Sequence, residues 1–349
     1  MNTFKAFFGI SKPLSFETTM AKPLSFEKIM AKPLSILFLL ALLSFNIAFA
    51  AENANNSEEI AYLLTASSKG DVKTVQAMLN SGVSANTKDA ENLTALMYAA
   101  RKNRAAVVSA LIAKGADINA TDKGGWTALM FAAKRNHLET IQVLLKNKAD
   151  PKIRDSAGWS ALGLATTQGY AVAADLLLAG GADANAQSGD NKTALMYAAA
   201  KGDVPTIDIL LARGAKTDAE DRLGVTALMY AAREGHAPAI LRMLEKGAKV
   251  DTEDQSKWTA LTWAVKKSQL AAAKTLIEKG ANTNHQDSEG TPLLHIAVDR
   301  QNADMVKLLL ANKTNVKARD KYGLTAYVYA LKKQDAPIIA LIKNAGGKY

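Results

Sequence analysis

The sequence predicts an all-α solenoid of about nine stacked helix-turn-helix units, each 33 residues long, with β-hairpin loops between them. The segment Thr94–Ala100 recurs unchanged at Thr193–Ala199 and Thr226–Ala232, and with one substitution at Thr127–Ala133. Leucine repeats every 33 residues over seven positions from Leu96. Alanine does the same at positions 66, 99, 132, 165, 198, 231, 264, 297 and 330. A fixed period of this length is typical of proteins built from stacked structural repeats.

Residues 1–50 are interpreted as a secretory signal peptide, and residues 51–349 as the repeat domain. Lysines at 28 and 32 precede the apolar run Ile36–Leu43, and Ala48 and Ala50 supply small residues before Ala51. This order is typical of a cleaved export signal. An uncleaved membrane anchor is the alternative, but the run is shorter than the roughly 20 residues that a membrane span needs. We therefore expect a periplasmic or secreted mature protein without membrane insertion.

A ten-residue duplication lies ahead of this signal, because Lys12–Glu17 recurs as Lys22–Glu27. Its period is unrelated to 33, and we interpret it as a tandem duplication without function. The true start therefore stays open between Met1, Met20 and Met30.

The first helix of each unit is predicted from a turn, a small apolar face and a terminating glycine. In one unit, the helix follows Thr193, and Leu195 and Ala198 recur on its apolar face. Gly202 ends the helix, since glycine accepts left-handed backbone angles. Small alanines allow neighbouring helices to approach closely, and a larger residue there would cost about 1–3 kcal/mol.

The second helix of each unit begins near a proline and carries an apolar stripe. Pro205 stands in its first turn, where the missing N–H is not needed. Leu211 marks a position that we expect to be buried in every unit but the last, where Lys343 occupies it. Since each unit packs only on its neighbours, the stack should end there with a polar face. We expect residues 346–349 to fray.

The units resemble ankyrin repeats. The resemblance rests on the 33-residue helix pair, on the segment Gly290–Ala297, and on exits such as Gly115–Asp117 and Gly181–Asp183. It covers residues 56–349, and it implies protein partners. Four residues depart from the pattern where glycine is usual, which should weaken individual turns: Lys148, Lys313, Asn191 and Lys257.

The sequence offers no catalytic constellation, and we expect neither an enzyme nor a bound cofactor or metal. Cysteine is absent, and no phosphate-binding loop or nucleophile motif occurs. Two histidines, His137 and His236, stand three units apart, roughly 30 Å at about 10 Å per unit, and cannot share a metal. We interpret these and the other two, His285 and His295, as surface or helix-capping residues. The loop acids that recur every 33 residues are predicted to be turn formers: Asp89, Asp122, Asp155, Asp221, Asp254, Asp287 and Asp320.

A set of basic residues at the ends of the first helices, here called the ladder, is the first candidate for binding. Its two positions per unit are basic in 11 of 16 cases over eight units, with acids only at Glu234 and Asp299. Either these cations complement the helix dipole, by about 0.3–1 kcal/mol each, or they bind a partner. The ladder consists of Arg101, Lys102, Lys134, Arg135, Lys201, Arg233, Lys266, Lys267, Arg300, Lys332 and Lys333.

Three tryptophans form the second candidate, because Trp126, Trp159 and Trp258 all stand directly before the residue that opens a first helix. Other units place residues such as Lys192 there, so the position is expected to be partly exposed. Either each tryptophan anchors a partner at a loop tip, or it packs on the adjacent hairpin. The buried methionines Met97, Met130, Met196 and Met229 are assigned to packing between units; they are not expected to bind a cofactor.

These observations favour a monomeric, non-catalytic protein-binding scaffold with an acidic protein partner. Outside residues 1–50 the chain has 38 basic and 31 acidic residues, a net charge of +7. By analogy with exported bacterial ankyrin proteins, the sharpest hypothesis is an inhibitor or immunity protein for an envelope-acting hydrolase or toxin. The alternative is a maintenance factor for an exported enzyme under envelope or oxidative stress. We expect no nucleic-acid partner, since the chain carries an export signal and no stacking aromatics interleave with the ladder.

Overall fold

The computed structural model describes residues 57–348, and the predicted signal peptide lies outside them. The described residues form nine consecutive pairs of antiparallel helices, here called repeats 1–9. This confirms the predicted all-α solenoid of about nine units. The first helices are 57–69, Ala95–Arg101, Ala128–Lys134, Ala161–Gln168, Ala194–Lys201, Ala227–Glu234, Ala260–Lys266, Leu293–Asp299 and Ala326–Lys333. The second helices are Val72–Asn80, Ala105–Ala113, Leu138–Lys146, Ala171–Ala179, Val204–Ala212, Ala237–Glu245, Leu270–Glu278, Ala303–Ala311 and Ala336–Asn344.

The first helices begin where the sequence predicts, at the threonine of the recurring segment. The hydroxyl of Thr94 accepts a hydrogen bond from the backbone N–H of Met97 at 3.3 Å, and Thr193, Thr226 and Thr259 cap their helices likewise. Such a cap satisfies one of the donors that a helix leaves unpaired at its start. Each of these threonines is buried, so the cap also fixes the angle at which the chain enters the stack.

In seven of the nine repeats, the loop before the first helix is a short hairpin held by one aspartate side chain; repeat 5 has Ser188 at this position. In repeat 6, Oδ1 of Asp221 accepts the backbone N–H groups of Leu223 at 2.8 Å and Val225 at 3.0 Å. The other six loop acids bond the backbone N–H groups two and four residues on in the same way. The prediction that these acids form turns is confirmed.

The core runs through the stack as columns of equivalent residues. Ala198 and Ala231 are fully buried, and adjacent first helices contact each other throughout repeats 2–9. The methionines of the recurring segment are also buried, at 1% exposure each, which confirms their assignment to packing between repeats. The small alanines therefore stand where neighbouring helices meet, as the sequence predicts.

The predicted column at Leu211 is buried only in repeats 1 and 4, at Leu79 and Leu178, whereas its neighbour in the apolar stripe, Leu210, is fully buried in repeat 5. The other leucines and isoleucines of the Leu211 column are half-buried. In repeat 9, Lys343 is exposed beside the buried Ile342, which confirms the predicted polar end of the stack. Successive helical residues are turned by about 100°, so a shift of one position moves a side chain from the core to its rim.

The described end of the chain is held in place, contrary to the predicted fraying of residues 346–348. Gly347 is buried, and its N–H donates to the carbonyl of Ile342 at 2.9 Å. The hydroxyl of Thr325 donates to the carbonyl of Lys348 at 2.7 Å. Residue 349 lies outside the described residues.

Candidate functional site

The ladder residues lie at the C-terminal ends of the first helices, as predicted. Arg101, Lys134, Arg233 and Lys266 belong to the last helical turn and are half-buried. The remaining ladder cations are exposed: Lys102, Arg135, Lys201, Lys267, Arg300, Lys332 and Lys333. The ladder therefore has an inner column that packs on the repeat surface and an outer column that faces solvent.

The two acids at ladder positions both form ion pairs with ladder cations. Arg233 pairs with Glu234 at 2.9 Å, and Lys333 pairs with Asp299 at 3.0 Å. The hydrogen bond from Lys333 lowers the pKa of Asp299 below its ordinary value. Across residues 57–348, the other nine ladder cations have no carboxylate oxygen within 4.0 Å. Most of the ladder's charge is therefore uncompensated by an ion pair.

The three tryptophans are half-buried, and each packs against one aromatic ring of a first helix. The ring centroids of Trp126 and Phe131 are 5.1 Å apart, and those of Trp258 and Trp263 are 4.8 Å apart. Trp126 and Trp159 both contact the core cluster. The rings thus pack against first helices and keep an exposed portion, and their role as anchors for a partner stays a prediction.

Trp159 differs from the other two because its aromatic partner belongs to the next repeat. Its own repeat has Leu164 at the partner position, and the indole instead lies 5.0 Å from the ring of Tyr197. The first helix of repeat 4 also has Gly163 where four other repeats have methionine. A Cβ on Gly163 would come within 3.1 Å of Cε3 of Trp159. Glycine therefore makes room for this indole against the helix.

An aromatic column runs beside the ladder, and the expectation that none interleaves with it is wrong. The column lies three residues before the inner ladder position and shares the 33-residue period, a signal that the sequence contains. Its members lie on first helices and are half-buried, except for Tyr230, which is 6% exposed. They are Tyr98, Phe131, Tyr197, Tyr230, Trp263 and Tyr329.

Cations of the ladder stack on these rings. The guanidinium of Arg233 lies 4.8 Å from the ring centroid of Tyr230 and 5.7 Å from that of Trp263. Lys266 lies 5.6 Å from the ring of Trp258. Arg101 on Tyr98 and Lys332 on Tyr329 repeat the arrangement, at 5.7 and 5.6 Å. Each such contact is worth about 0.5–1 kcal/mol at an exposed site, so it also limits the motion of the cation.

The ladder, the aromatic column and the three tryptophans lie along the first helices and the loops that precede them, and together they are here called the ladder face. In repeats 6 and 7 direct contacts join all three groups, through Arg233, Trp263, Trp258 and Lys266. Rigid aromatic residues beside unpaired cations are the residue types that dominate binding energy at protein interfaces. The ladder face can therefore bind a partner that presents both carboxylates and apolar groups.

The polar tips of the aromatic column are tied to the loop aspartates. The hydroxyl of Tyr230 donates to Oδ2 of Asp221 at 2.6 Å, and Nε1 of Trp263 donates to Oδ2 of Asp254 at 3.0 Å. Burial, followed by the bond to Asp221, raises the pKa of Tyr230. The hydrogen bond from Tyr329 to Asp320 raises the pKa of Tyr329 to about 12. These carboxylates therefore serve both the turn and the ring behind it.

The histidines serve as connections between repeats. His137 and His236 occupy N-cap positions but make no side-chain cap bond to their own helices. Instead, Nε2 of His137 bonds the carbonyl of Arg101 at 3.2 Å, and Nε2 of His236 bonds that of Ala200 at 3.1 Å. His285 bonds the carbonyl of Lys257. His137 and His236 therefore cap the C-terminal end of the first helix of the preceding repeat, which confirms the helix-capping interpretation for these two, whereas His285 bonds a loop carbonyl.

His295 is the one of the four histidines that is buried, at 2% exposure. Its Nε2 lies 2.9 Å from the carbonyl of Leu324, and its ring packs edge-on against Tyr329. Nδ1 has no hydrogen-bond partner in the described part of the chain. Burial lowers the pKa of His295. The prediction of a surface or capping role is wrong for this residue.

Metal-binding clusters and membrane-spanning helices are both absent from residues 57–348. No group of three or more histidine, cysteine or acidic side chains within this part of the chain is placed to hold a metal ion. Among the same residues, no helix has the length and apolar character needed to cross a membrane.

Comparison with known families agrees with the repeat architecture. A family model described as ankyrin repeats (3 copies) matches residues 38–122, 63–155, 108–188, 147–221 and 195–287. A second model, described as ankyrin repeats (many copies), matches residues 276–330. Among curated proteins, none matches the chain.

Proposed function

Since the chain belongs to the ankyrin-repeat family, whose arrays serve as scaffolds for protein–protein interaction, we propose that it is a non-catalytic scaffold that binds an acidic protein on its ladder face. One observation carries this proposal: nine ladder cations lack a carboxylate partner among the described residues. A partner that supplies carboxylates would satisfy these charges. Electrostatic complementarity of this kind accelerates association and selects the partner.

The proposal favours a protein over a nucleic acid, although aromatic rings do interleave with the ladder. Nucleic-acid bases stack on open ring faces. Here Tyr230 is 6% exposed, and the guanidinium of Arg233 already covers it. Three of the four tyrosine hydroxyls in the column are also held by loop carboxylates, and that of Tyr197 is 3.3 Å from the hydroxyl of Ser188. Four of the six rings in the column thus carry a ladder cation, which leaves less open ring area for bases.

The finer role follows from the first 50 residues and from the family. The signal-like order of Lys28, Lys32, the apolar run and Ala48–Ala50 supports a periplasmic or secreted protein. We propose that it acts there as an inhibitor or immunity protein for an envelope-acting hydrolase or toxin. A maintenance role for an exported enzyme is the alternative. A toxin or hydrolase gene next to the gene of this protein would favour the inhibitor or immunity role. A neighbouring gene for an exported enzyme, without a toxin or hydrolase gene, would favour the maintenance role.

The mature chain gives a direct test of export. We expect N-terminal sequencing of the native protein to find Ala51 at its start and fractionation to recover it with soluble envelope proteins. A membrane-bound protein that retains Met1, Met20 or Met30 would contradict this.

The partner is best found by affinity capture with the mature protein from its own envelope fraction, followed by mass spectrometry. Binding kinetics with that partner then test the ladder. Charge reversal at Lys134, Arg135, Lys266 and Lys267 should slow association at least tenfold at low salt, and added salt should reduce the difference. Thermal unfolding should change much less, because within residues 57–348 three of these side chains make no hydrogen bond, ion pair or cation–π contact, and Lys266 makes one cation–π contact.

A matched control reverses four exposed lysines at the ends of second helices: Lys114, Lys146, Lys246 and Lys279. This variant has the same net charge as the ladder variant but leaves the ladder intact. We expect its association rate to stay within about threefold of the wild type. If both variants slow association equally, only net charge matters, and the ladder has no specific role.

The tryptophans should act on dissociation. Replacing Trp126 or Trp159 with alanine removes a half-buried anchor and should accelerate dissociation, for a loss of about 2 kcal/mol or more each. Surface plasmon resonance separates this effect from the association effect of the ladder. Unchanged dissociation in both variants would place the partner on another surface.

A further inference from the structure

The charge of the ladder is not evenly distributed along the array. In repeats 2 and 3, all four ladder positions are basic and none has a carboxylate partner in the described structure; these residues, here the N-terminal cluster, are Arg101, Lys102, Lys134 and Arg135. In repeats 7–9, four ladder cations are likewise without a carboxylate partner; these residues, here the C-terminal cluster, are Lys266, Lys267, Arg300 and Lys332.

The ladder between the two clusters is almost neutral. Repeat 4 has Thr167 and Gln168 at the ladder positions, and repeat 5 has Ala200 and Lys201. In repeat 6, Arg233 and Glu234 neutralise each other through their ion pair. Three successive repeats therefore leave one unpaired ladder cation.

An aromatic pair occupies this neutral interval. Trp159 and Tyr197 lie in repeats 4 and 5, with ring centroids 5.0 Å apart, and Gly163 opens the space under the indole. No cation of residues 57–348 stacks on either ring, whereas Arg233 and Lys266 stack on the Trp258–Trp263 pair. Between the clusters, the ladder face therefore offers apolar contact area in place of charge.

Distance makes the clusters act separately. Repeats 3 and 7 are four steps apart, or about 32–40 Å at 8–10 Å per helix-to-helix step. At physiological ionic strength the Debye length is about 8 Å, so one short acidic segment cannot feel both clusters. An extended chain covers at most about 3.3–3.6 Å per residue, so about 9–12 residues join the clusters, and 12 are enough for the whole range.

We propose, on the basis of the proposed function, that the ladder face binds one extended acidic segment of a protein partner in a bipartite manner. Two acidic blocks, separated by about 12 residues, contact the N-terminal and C-terminal clusters. An apolar side chain midway between them contacts the Trp159–Tyr197 pair. The second block adds affinity because it binds at the high effective concentration that the linking residues impose.

Synthetic peptides test this with the mature protein. The first peptide carries two blocks of four acidic residues, Glu-Asp-Glu-Asp, joined by a 12-residue Gly/Ser spacer with one central leucine. The second has the same composition, but the two acidic blocks are contiguous and the spacer residues follow them. A third replaces the central leucine of the first with serine. Binding is measured by fluorescence anisotropy at 0.15 M salt, with each peptide labelled at one end.

We expect the spaced peptide to bind at least tenfold more tightly than the contiguous one. The combined variant Arg101→Glu, Lys102→Glu should abolish this preference, whereas Lys114→Glu with Lys146→Glu should preserve it. The wild type should bind the serine peptide more weakly than the leucine peptide. The Trp159→Ala variant should bind these two peptides equally. Circular dichroism of each variant checks that the array is folded.

Other results would overturn the bipartite proposal in separable ways. Equal binding of the spaced and contiguous peptides would overturn it and leave a basic, acid-binding ladder face in place. If no acidic peptide binds, the bipartite proposal is overturned as well. The proposed function then fails too if charge reversal of the ladder leaves binding of the captured partner unchanged. A single-stranded oligonucleotide with eight phosphates is compared with the spaced peptide. If the oligonucleotide binds more tightly, the ladder face binds a nucleic acid and not a protein segment.

Discussion

Two lysines of this array adopt a backbone conformation that favours glycine, and replacing them with glycine should stabilise the protein. Lys148 and Lys313 have φ angles of 68° and 61°, at the turn after the second helix where other repeats have glycine. The left-handed conformation costs a residue with a Cβ about 1–2 kcal/mol. Glycine avoids this cost but loses about 0.5–1 kcal/mol through its greater freedom in the unfolded chain. The net expectation is a gain of about 0.5–1 kcal/mol per site.

Loss of the two lysine side chains should not offset this gain in stability. Both lysines are exposed, and neither forms an ion pair within the described residues. At the equivalent glycines, Gly214 and Gly247, an added Cβ would meet no atom within 4 Å. The reverse substitutions Gly214→Lys and Gly247→Lys should therefore destabilise by a similar amount, through backbone strain alone.

Urea unfolding followed by circular dichroism measures these changes. Lys148→Gly with Lys313→Gly should raise the unfolding free energy by about 1–2 kcal/mol, because sites this far apart act additively. Lys146→Gly is the control: it lies two residues away in the last turn of a helix, where glycine costs about 1 kcal/mol. If Lys148→Gly and Lys146→Gly both lower stability alike, the backbone at Lys148 is unstrained and the reasoning is refuted.

Three further changes can be measured in the same way. Ala198→Leu and Ala231→Leu should each cost about 1–3 kcal/mol in unfolding free energy by overpacking the interface between first helices, whereas the half-buried Ala200→Leu should cost far less; equal costs would contradict the assigned packing. Asp221→Ala should cost about 2–3 kcal/mol in urea unfolding, because two backbone N–H groups and the Tyr230 hydroxyl lose their acceptor, and a near-neutral change would exclude the turn role. The pKa of His295 is lowered in the folded protein, so the unfolded chain binds the proton first as the pH falls below about 6.5. The unfolding free energy should therefore fall from pH 7 toward pH 5, and His295→Gln should flatten this profile. An unchanged profile in the variant would assign the pH dependence to another group.

The 33-residue period predicts most of the fold because each repeat buries the same positions against the same neighbours. The threonine caps, the aspartate turns and the buried alanines all follow from one aligned unit. The second helix could not be phased in this way. In repeat 5 its residues Ile209, Leu210 and Leu211 are all apolar, so periodicity alone does not choose which one faces the core. In the folded array it is Leu210 that packs into the core and is fully buried.

The candidate site was predicted less completely, since it depends on contacts between repeats. The aromatic column has the same period as the ladder, but its alignment with the cations becomes evident only when Arg233 lies over Tyr230. The partner of Trp159 is Tyr197, 38 positions along the chain, where a reading within one repeat would place Leu164. The burial of His295 likewise arises from repeat 9 packing against repeat 8.

The second helices of the same array help to distinguish the two explanations of the ladder. If the cations only complemented helix dipoles, the ends of both helix sets should be equally basic, because both expose C-terminal carbonyls to solvent. In repeats 2–9, the last residue and the C-cap of the second helices are basic in 5 of 16 cases and acidic in two. At the same two positions, the first helices of these repeats are basic in 9 of 16 cases, also with two acids. Helix dipoles therefore account for about half of the ladder, and the excess on one face of each repeat is what an acidic partner would require.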